Sequence, residues 1–101
     1  MRQHNRICAE IDLDAVLYNM EQMKDRIGSD ARFMAVVKTD GYGHGAVPIT
    51  KMLESVPYVW GYAVACLEEA VQLKENGISK PVLVLGCVFP DQYEEMIRYN
   101  I

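Results

Sequence analysis

The chain has 101 residues, 50% of them apolar and 24% charged, the proportions of one small soluble globular domain. A net charge of −4, with Lys and Arg scattered one or two at a time, weighs against a nucleic-acid partner, because a phosphate-binding face gathers its basic residues. The longest apolar run, residues 81–90, is too short to cross a bilayer. Nothing at the N-terminus resembles a signal peptide, so a cytoplasmic protein with no membrane partner is expected.

Residues 7–11, Ile-Cys-Ala-Glu-Ile, alternate in polarity and predict a short strand. Asp12 or Asp14 then offers an N-cap to a helix whose apolar face is Val16, Met20, Met23 and Ile27, closed by Gly28. Residues 33–37 carry no polar side chain, which suits a strand covered on both faces. After Gly45 the period changes to a helical stripe of Ala46, Ile49, Leu53 and Val56, with Pro48 tolerated in its first turn and Pro57 ending it. Residues 58–64 form the next expected strand and residues 67–76 a helix closed by Gly77. Residues 82–85 make a third buried strand, followed by a helix from Asp91 to about Tyr99.

Alternating units of this length predict an α/β fold with a parallel sheet. Three such strands leave two open edges, which invite self-association between copies. A closed barrel of eight units takes roughly 250 residues. The expected architecture is therefore an N-terminal strand and helix (residues 1–30), then the first βα units (residues 31–101) of an incomplete TIM-type (β/α)8 barrel. Cys8, Cys66 and Cys87 are odd in number, far apart and without a partner histidine at ligand spacing, so they are expected to be small buried thiols and no metal site is expected.

Lys38 stands where the first apolar strand stops, ahead of Gly41, Gly43 and Gly45. Ligands of parallel α/β folds bind at the carboxyl ends of strands. Strand alternation puts Met34 and Val36 on the same side as Lys38. An ammonium at an apolar rim loses hydration, which favours the neutral amine, a nucleophile able to condense with an aldehyde such as pyridoxal phosphate. The glycine loop offers backbone N–H groups to an anion. A lone lysine at a strand end also serves as a solvated surface group, and spacing by itself leaves both roles open. His44 reads as a hydrogen-bonded loop histidine and Tyr42 as a packing residue. Asp12, Asp14, Glu68 and Glu69 read as helix-start charges.

The segment Ala35-Val-Val-Lys38-Thr-Asp-Gly-Tyr42-Gly-His-Gly45 closely resembles the cofactor-lysine motif of the alanine racemases. Residues 9–15 resemble that family's N-terminal segment, residues 61–65 with Glu68-Glu-Ala70 its second barrel strand and helix, and residues 81–86 its third strand. The resemblance implies a pyridoxal 5'-phosphate-dependent isomerase that interconverts L- and D-alanine as a homodimer and supplies D-alanine. Lys38 would form the Schiff base with the cofactor and act as one of two acid/base groups. Tyr42 would help hold the cofactor phosphate, and Gly43, His44 and Gly45 would shape the turn. Asp40-Gly41 departs from the commoner Asn-Ala or Asp-Ala, a change expected to loosen the turn.

The family's second base, a tyrosine from the partner subunit, and its cofactor-binding arginine match nothing in residues 1–101. The chain alone is therefore expected to be inactive. Rival readings are a racemase for serine or a basic amino acid, a non-catalytic pyridoxal phosphate carrier, and an interaction module in which Lys38 is only a surface charge.

Overall fold

Asp12 opens the first helix by accepting the Ala15 N–H on Oδ1 at 3.2 Å, and α1 (Leu13–Ile27) runs to Gly28 at φ +84°. This is one end of a computed structural model that describes residues 6–101. Leu13, Leu17 and Met20 of α1 pack on the core, whereas Met23 and Ile27 of the expected stripe are exposed. The face is rotated because Lys24 takes the inner place at its last turn. Its Nζ donates to the carbonyls of Gly28 and Ala31, both at 2.7 Å, and lies 5.9 Å from the Tyr58 ring centroid. The apolar stem is covered and the ammonium fastens the turn into the first strand.

Strands β1 (Phe33–Val36), β2 (Val59–Val64) and β3 (Val82–Val84) form a parallel sheet in that order. Helices α3 (Ala46–Leu53) and α4 (Leu67–Glu75) alternate with them. The register sets Ala35 beside Tyr62 and Tyr62 beside Val82 on one face, and Val36 beside Ala63 and Ala63 beside Leu83 on the other. Period-two alternation then divides the sheet. Ala35, Tyr62, Val64 and Val82 join Ile49, Leu53 and Leu73 in the core, while Met34, Val36, Leu83 and Leu85 stay exposed. Burying a side chain such as Leu53 or Leu73 contributes about 1.5–3 kcal/mol. Two glycines let the strands and their loops close up. A Cβ on Gly61 would lie 2.5 Å from the Pro81 carbonyl oxygen, and one on Gly86 would collide with that of Ala65.

A polar cluster ties α3 to β2 and to the loop before β3. The hydroxyl of fully buried Tyr62 lies 2.9 Å from Glu54 Oε2 and 3.0 Å from the Thr50 carbonyl oxygen. Glu54 Oε1 accepts the Ser79 N–H at 2.6 Å and the Ser79 hydroxyl at 2.9 Å. Burial by itself raises the Glu54 carboxyl, but hydrogen bonds from Ser79, Tyr62 and Lys80 outweigh it and hold the group below its ordinary value. Burial, then Glu54, push the Tyr62 phenol upward.

Several sequence expectations need correction. Residues 7–11 form no strand; they are exposed, with no neighbouring strand among the described residues to complete a ladder. Cys8 and Cys87 are exposed and Cys66 half-buried, because Cys8 lies in that exposed segment and Cys87 beyond the end of β3. The last helix begins as a 3-10 turn (Pro90–Gln92) and becomes α5 (Tyr93–Tyr99). No helix among the described residues is long and apolar enough to cross a membrane.

Candidate functional site

The β1–β2 ladder continues one residue past β1, with the Val37 N–H donating to the Ala63 carbonyl at 2.9 Å. Lys38 follows at once, as the first residue of the single turn α2 (Lys38–Tyr42). That turn is left-handed. Thr39 (φ 55°, ψ 45°), Asp40 (φ 53°, ψ 45°), Gly41 (φ 63°, ψ 37°) and Tyr42 (φ 57°) all have positive φ. Each non-glycine residue there costs about 1–2 kcal/mol, so the conformation persists only where its surroundings over-determine it.

The surroundings are on hand. Gly41 N–H donates to Val37 O at 2.8 Å, Gly43 N–H to Thr39 O at 3.1 Å and Gly45 N–H to Asp40 O at 2.8 Å. Asp40 Oδ1 accepts the Ala46 N–H at 2.9 Å, which caps the start of α3. Both the backbone N–H of His44 and its ring Nδ1 meet the Gly41 carbonyl oxygen at 3.1 Å, and a carbonyl partner requires the ring proton on Nδ1. His44 therefore has the shaping role expected of it. Gly41 stands at φ +63°, where glycine meets no penalty.

These bonds correct one expectation. The N–H groups of Thr39, Gly41, Gly43, His44, Gly45 and Ala46 all have protein acceptors, so the loop does not offer them to an anion. The Thr39 acceptor is a residue that sequence reasoning missed. Glu69 Oε2 takes the Thr39 N–H at 2.7 Å, and Oε1 takes the Ala65 N–H at 2.7 Å. One carboxylate thereby bridges the ends of β1 and β2. An acid at the third position of α4 does signal a helix start, but nothing in the sequence signals a partner 30 residues away.

Lys38 Nζ lies 6.0 Å from the Tyr42 ring centroid, the outer range of a cation–π contact. Among the described residues no carboxylate or carbonyl accepts a hydrogen bond from Lys38, and Tyr42 is 59% exposed. Beside the turn, between α1 and β1, lies an apolar cavity of about 360 Å³ lined in part by Val16, Met20, Met34, Val36 and Gly41. The arrangement is an uncommitted amine at a strand end, with an exposed phenol one turn on and an apolar wall nearby. It suits condensation with a carbonyl compound. Among the described residues no group of His, Cys, Asp or Glu could hold a metal ion.

The family model for the alanine racemase N-terminal domain matches residues 11–101. The chain belongs to the alanine racemase family. It is 45% identical over 93 residues to the alanine racemase of Halothermothrix orenii, a match covering 92% of this chain and 24% of that protein. To the alanine racemase of Symbiobacterium thermophilum it is 48% identical over 93 residues, with 92% and 24% covered. The solved alanine racemase of Clostridium difficile 630 superposes with a TM-score of 0.86 at 37% identity, covering 90% of this chain and 25% of that one. The Bacillus anthracis alanine racemase solved with bound L-Ala-P gives a TM-score of 0.82 at 40% identity, covering 89% and 23%. The three-stranded parallel sheet is thus the match to the N-terminal barrel region of these enzymes, and the chain spans about a quarter of their length.

Proposed function

We propose that the protein carrying this chain is a pyridoxal 5'-phosphate-dependent alanine racemase, that Lys38 is its cofactor lysine, and that Tyr42 helps to hold the cofactor phosphate. The observation that carries this is the Lys38 amine, which donates to no carboxylate or carbonyl among the described residues, on a left-handed turn at the end of β1, in a chain of this family. The residues present fit the cofactor. A primary amine free of carboxylates can condense with its aldehyde, and an exposed phenol can donate to a phosphate oxygen.

Bound there, the cofactor supplies a conjugated cationic ring that accepts the charge left when an amino acid loses its α-proton. The chain's own residues do the rest. Lys38 takes the proton from the substrate Cα on one face as the neutral amine, and returns it on that face as the ammonium. A base so placed adds on the order of 10²–10⁴ in rate. Met34 and Val36, on the same exposed sheet face as the end of β1, keep the surroundings apolar.

Racemisation requires a second proton-transfer group on the opposite face of Cα, and Lys38 serves one face only. By its likeness to alanine racemases, of whose length this chain spans about a quarter, the working enzyme is a homodimer of a longer chain, and residues 1–101 alone do not racemise alanine. The test uses the full-length protein. Borohydride reduction in the presence of cofactor should place the pyridoxyl label on Lys38, and Lys38→Ala should abolish conversion of L- to D-alanine. A label at another residue, or undiminished turnover in Lys38→Ala, overturns the reading. Assay against serine and lysine beside alanine decides among racemase substrates.

A further inference from the structure

We propose that Glu69 is a positioning residue for this reaction: its carboxylate ties the end of β1 to the end of β2 and thereby fixes the direction in which Lys38 presents its amine. The proposal rests on the reading of Lys38 given above. One oxygen, Oε1, accepts the Ala65 N–H just before α4, four residues away in sequence. The second oxygen, Oε2, is spent on Thr39 N–H, the residue directly after Lys38.

Thr39 is where the chain enters the left-handed turn, and the hydrogen bonds within the turn begin only at the Gly41 N–H. Without Glu69 the first peptide of the turn has no acceptor among these bonds. Lys38 sits between two anchored N–H groups, that of Val37 on the Ala63 carbonyl and that of Thr39 on Glu69. Both anchors lead back to β2 and the start of α4, so the backbone on either side of the lysine moves with the sheet. A carboxylate suits the task because it offers two acceptor oxygens and no donor, and bonds to an ionised acceptor are the stronger kind. Glutamine of the same shape keeps one acceptor and turns an NH₂ group towards the other N–H.

The experiment uses the full-length protein, with and without pyridoxal phosphate, as Glu69→Gln, Glu69→Ala and the control Glu68→Gln. Glu68 lies on the same helical turn, exposed, and accepts from Gln92 Nε2 at 3.3 Å. A displacement near 1 Å at a reacting group costs on the order of 10² in rate. We expect kcat per bound cofactor to fall about tenfold in Glu69→Gln and about 10²-fold in Glu69→Ala, with KM changed by less than about threefold. In cofactor-free protein, amide hydrogen exchange at Thr39 and Ala65 should accelerate at least about tenfold. Glu68→Gln should leave both measurements unchanged. Unchanged exchange at Thr39, or unchanged kcat per bound cofactor in folded Glu69→Gln, overturns the proposal. Should Glu69→Ala fail to fold, the isosteric Gln variant decides. A borohydride label away from Lys38 in the unaltered protein removes the underlying reading instead, and amide exchange still reports on the bridge separately.

Discussion

The Tyr62 hydroxyl and the Glu54 carboxylate meet at 2.9 Å in a place where the tyrosine is wholly buried and the glutamate also holds Ser79. The pair joins the middle strand to the end of α3 and to the loop that delivers β3. Tyr62→Phe keeps the ring in the core and removes the donor. It should destabilise the protein by about 1–2 kcal/mol, read as a lower urea midpoint with an unchanged slope.

The same pair sets two pH limits. Glu54 is held below its ordinary 4.5, so its contribution is complete above that value and is lost as pH falls through the lower folded value. Tyr62 is pushed above its ordinary 10.0, so its contribution is complete below that pH and is lost as pH rises beyond it. Glu54→Gln should flatten the acid arm of the midpoint-against-pH curve. Tyr62→Phe should flatten the alkaline arm. Parallel curves for variant and parent would contradict the assignment.

Thr39 is a β-branched residue at φ 55°, strained by its own side chain. Thr39→Gly should raise stability by about 0.5–1 kcal/mol, because relief of that strain exceeds the added freedom of the unfolded chain. Asp40→Ala, which strips the acceptor from Ala46 N–H, should lower stability by about 1 kcal/mol. Opposite signs at adjacent positions in thermal unfolding distinguish strain from capping.

Gly61 permits the Pro81 carbonyl to approach β2, and a methyl group there would sit 2.5 Å from its oxygen. Gly61→Ala should cost at least about 1–3 kcal/mol, because a backbone carbonyl cannot swing away as a side chain can. Gly77, where a Cβ would meet nothing within 4 Å but φ is +85°, is the control for backbone strain alone. Gly77→Ala should cost only about 1 kcal/mol. Equal losses at the two sites would show that the close approach is not what matters.

Tyr42→Phe should weaken pyridoxal phosphate binding by about tenfold, the scale of one hydrogen bond to a charged group, while leaving the covalent label on Lys38. Titration of the cofactor's visible absorbance measures it. Unaltered affinity would remove Tyr42 from the phosphate.

The order of the three sheet strands and of helices α1, α3, α4 and α5, a cap at Asp12 or Asp14 and the Gly28 stop were legible in the residues, because each depends on local period or local backbone chemistry. Ala46, Ile49 and Leu53 lined the core as their spacing required. Three things were decided only by the folded chain. Whether residues 7–11 form a strand depends on a neighbouring strand, and their own alternation does not provide one. The handedness of residues 39–42 could not be read from the glycines, since Thr39, Asp40 and Tyr42 each disfavour positive φ, and only the bonds around them make it hold. Glu69 looked like an ordinary helix-start charge until packing of α4 against the sheet brought Thr39 within reach of its second oxygen. Period and propensity act over a few residues, whereas a hydrogen bond across 30 residues exists only after the sheet has set its register.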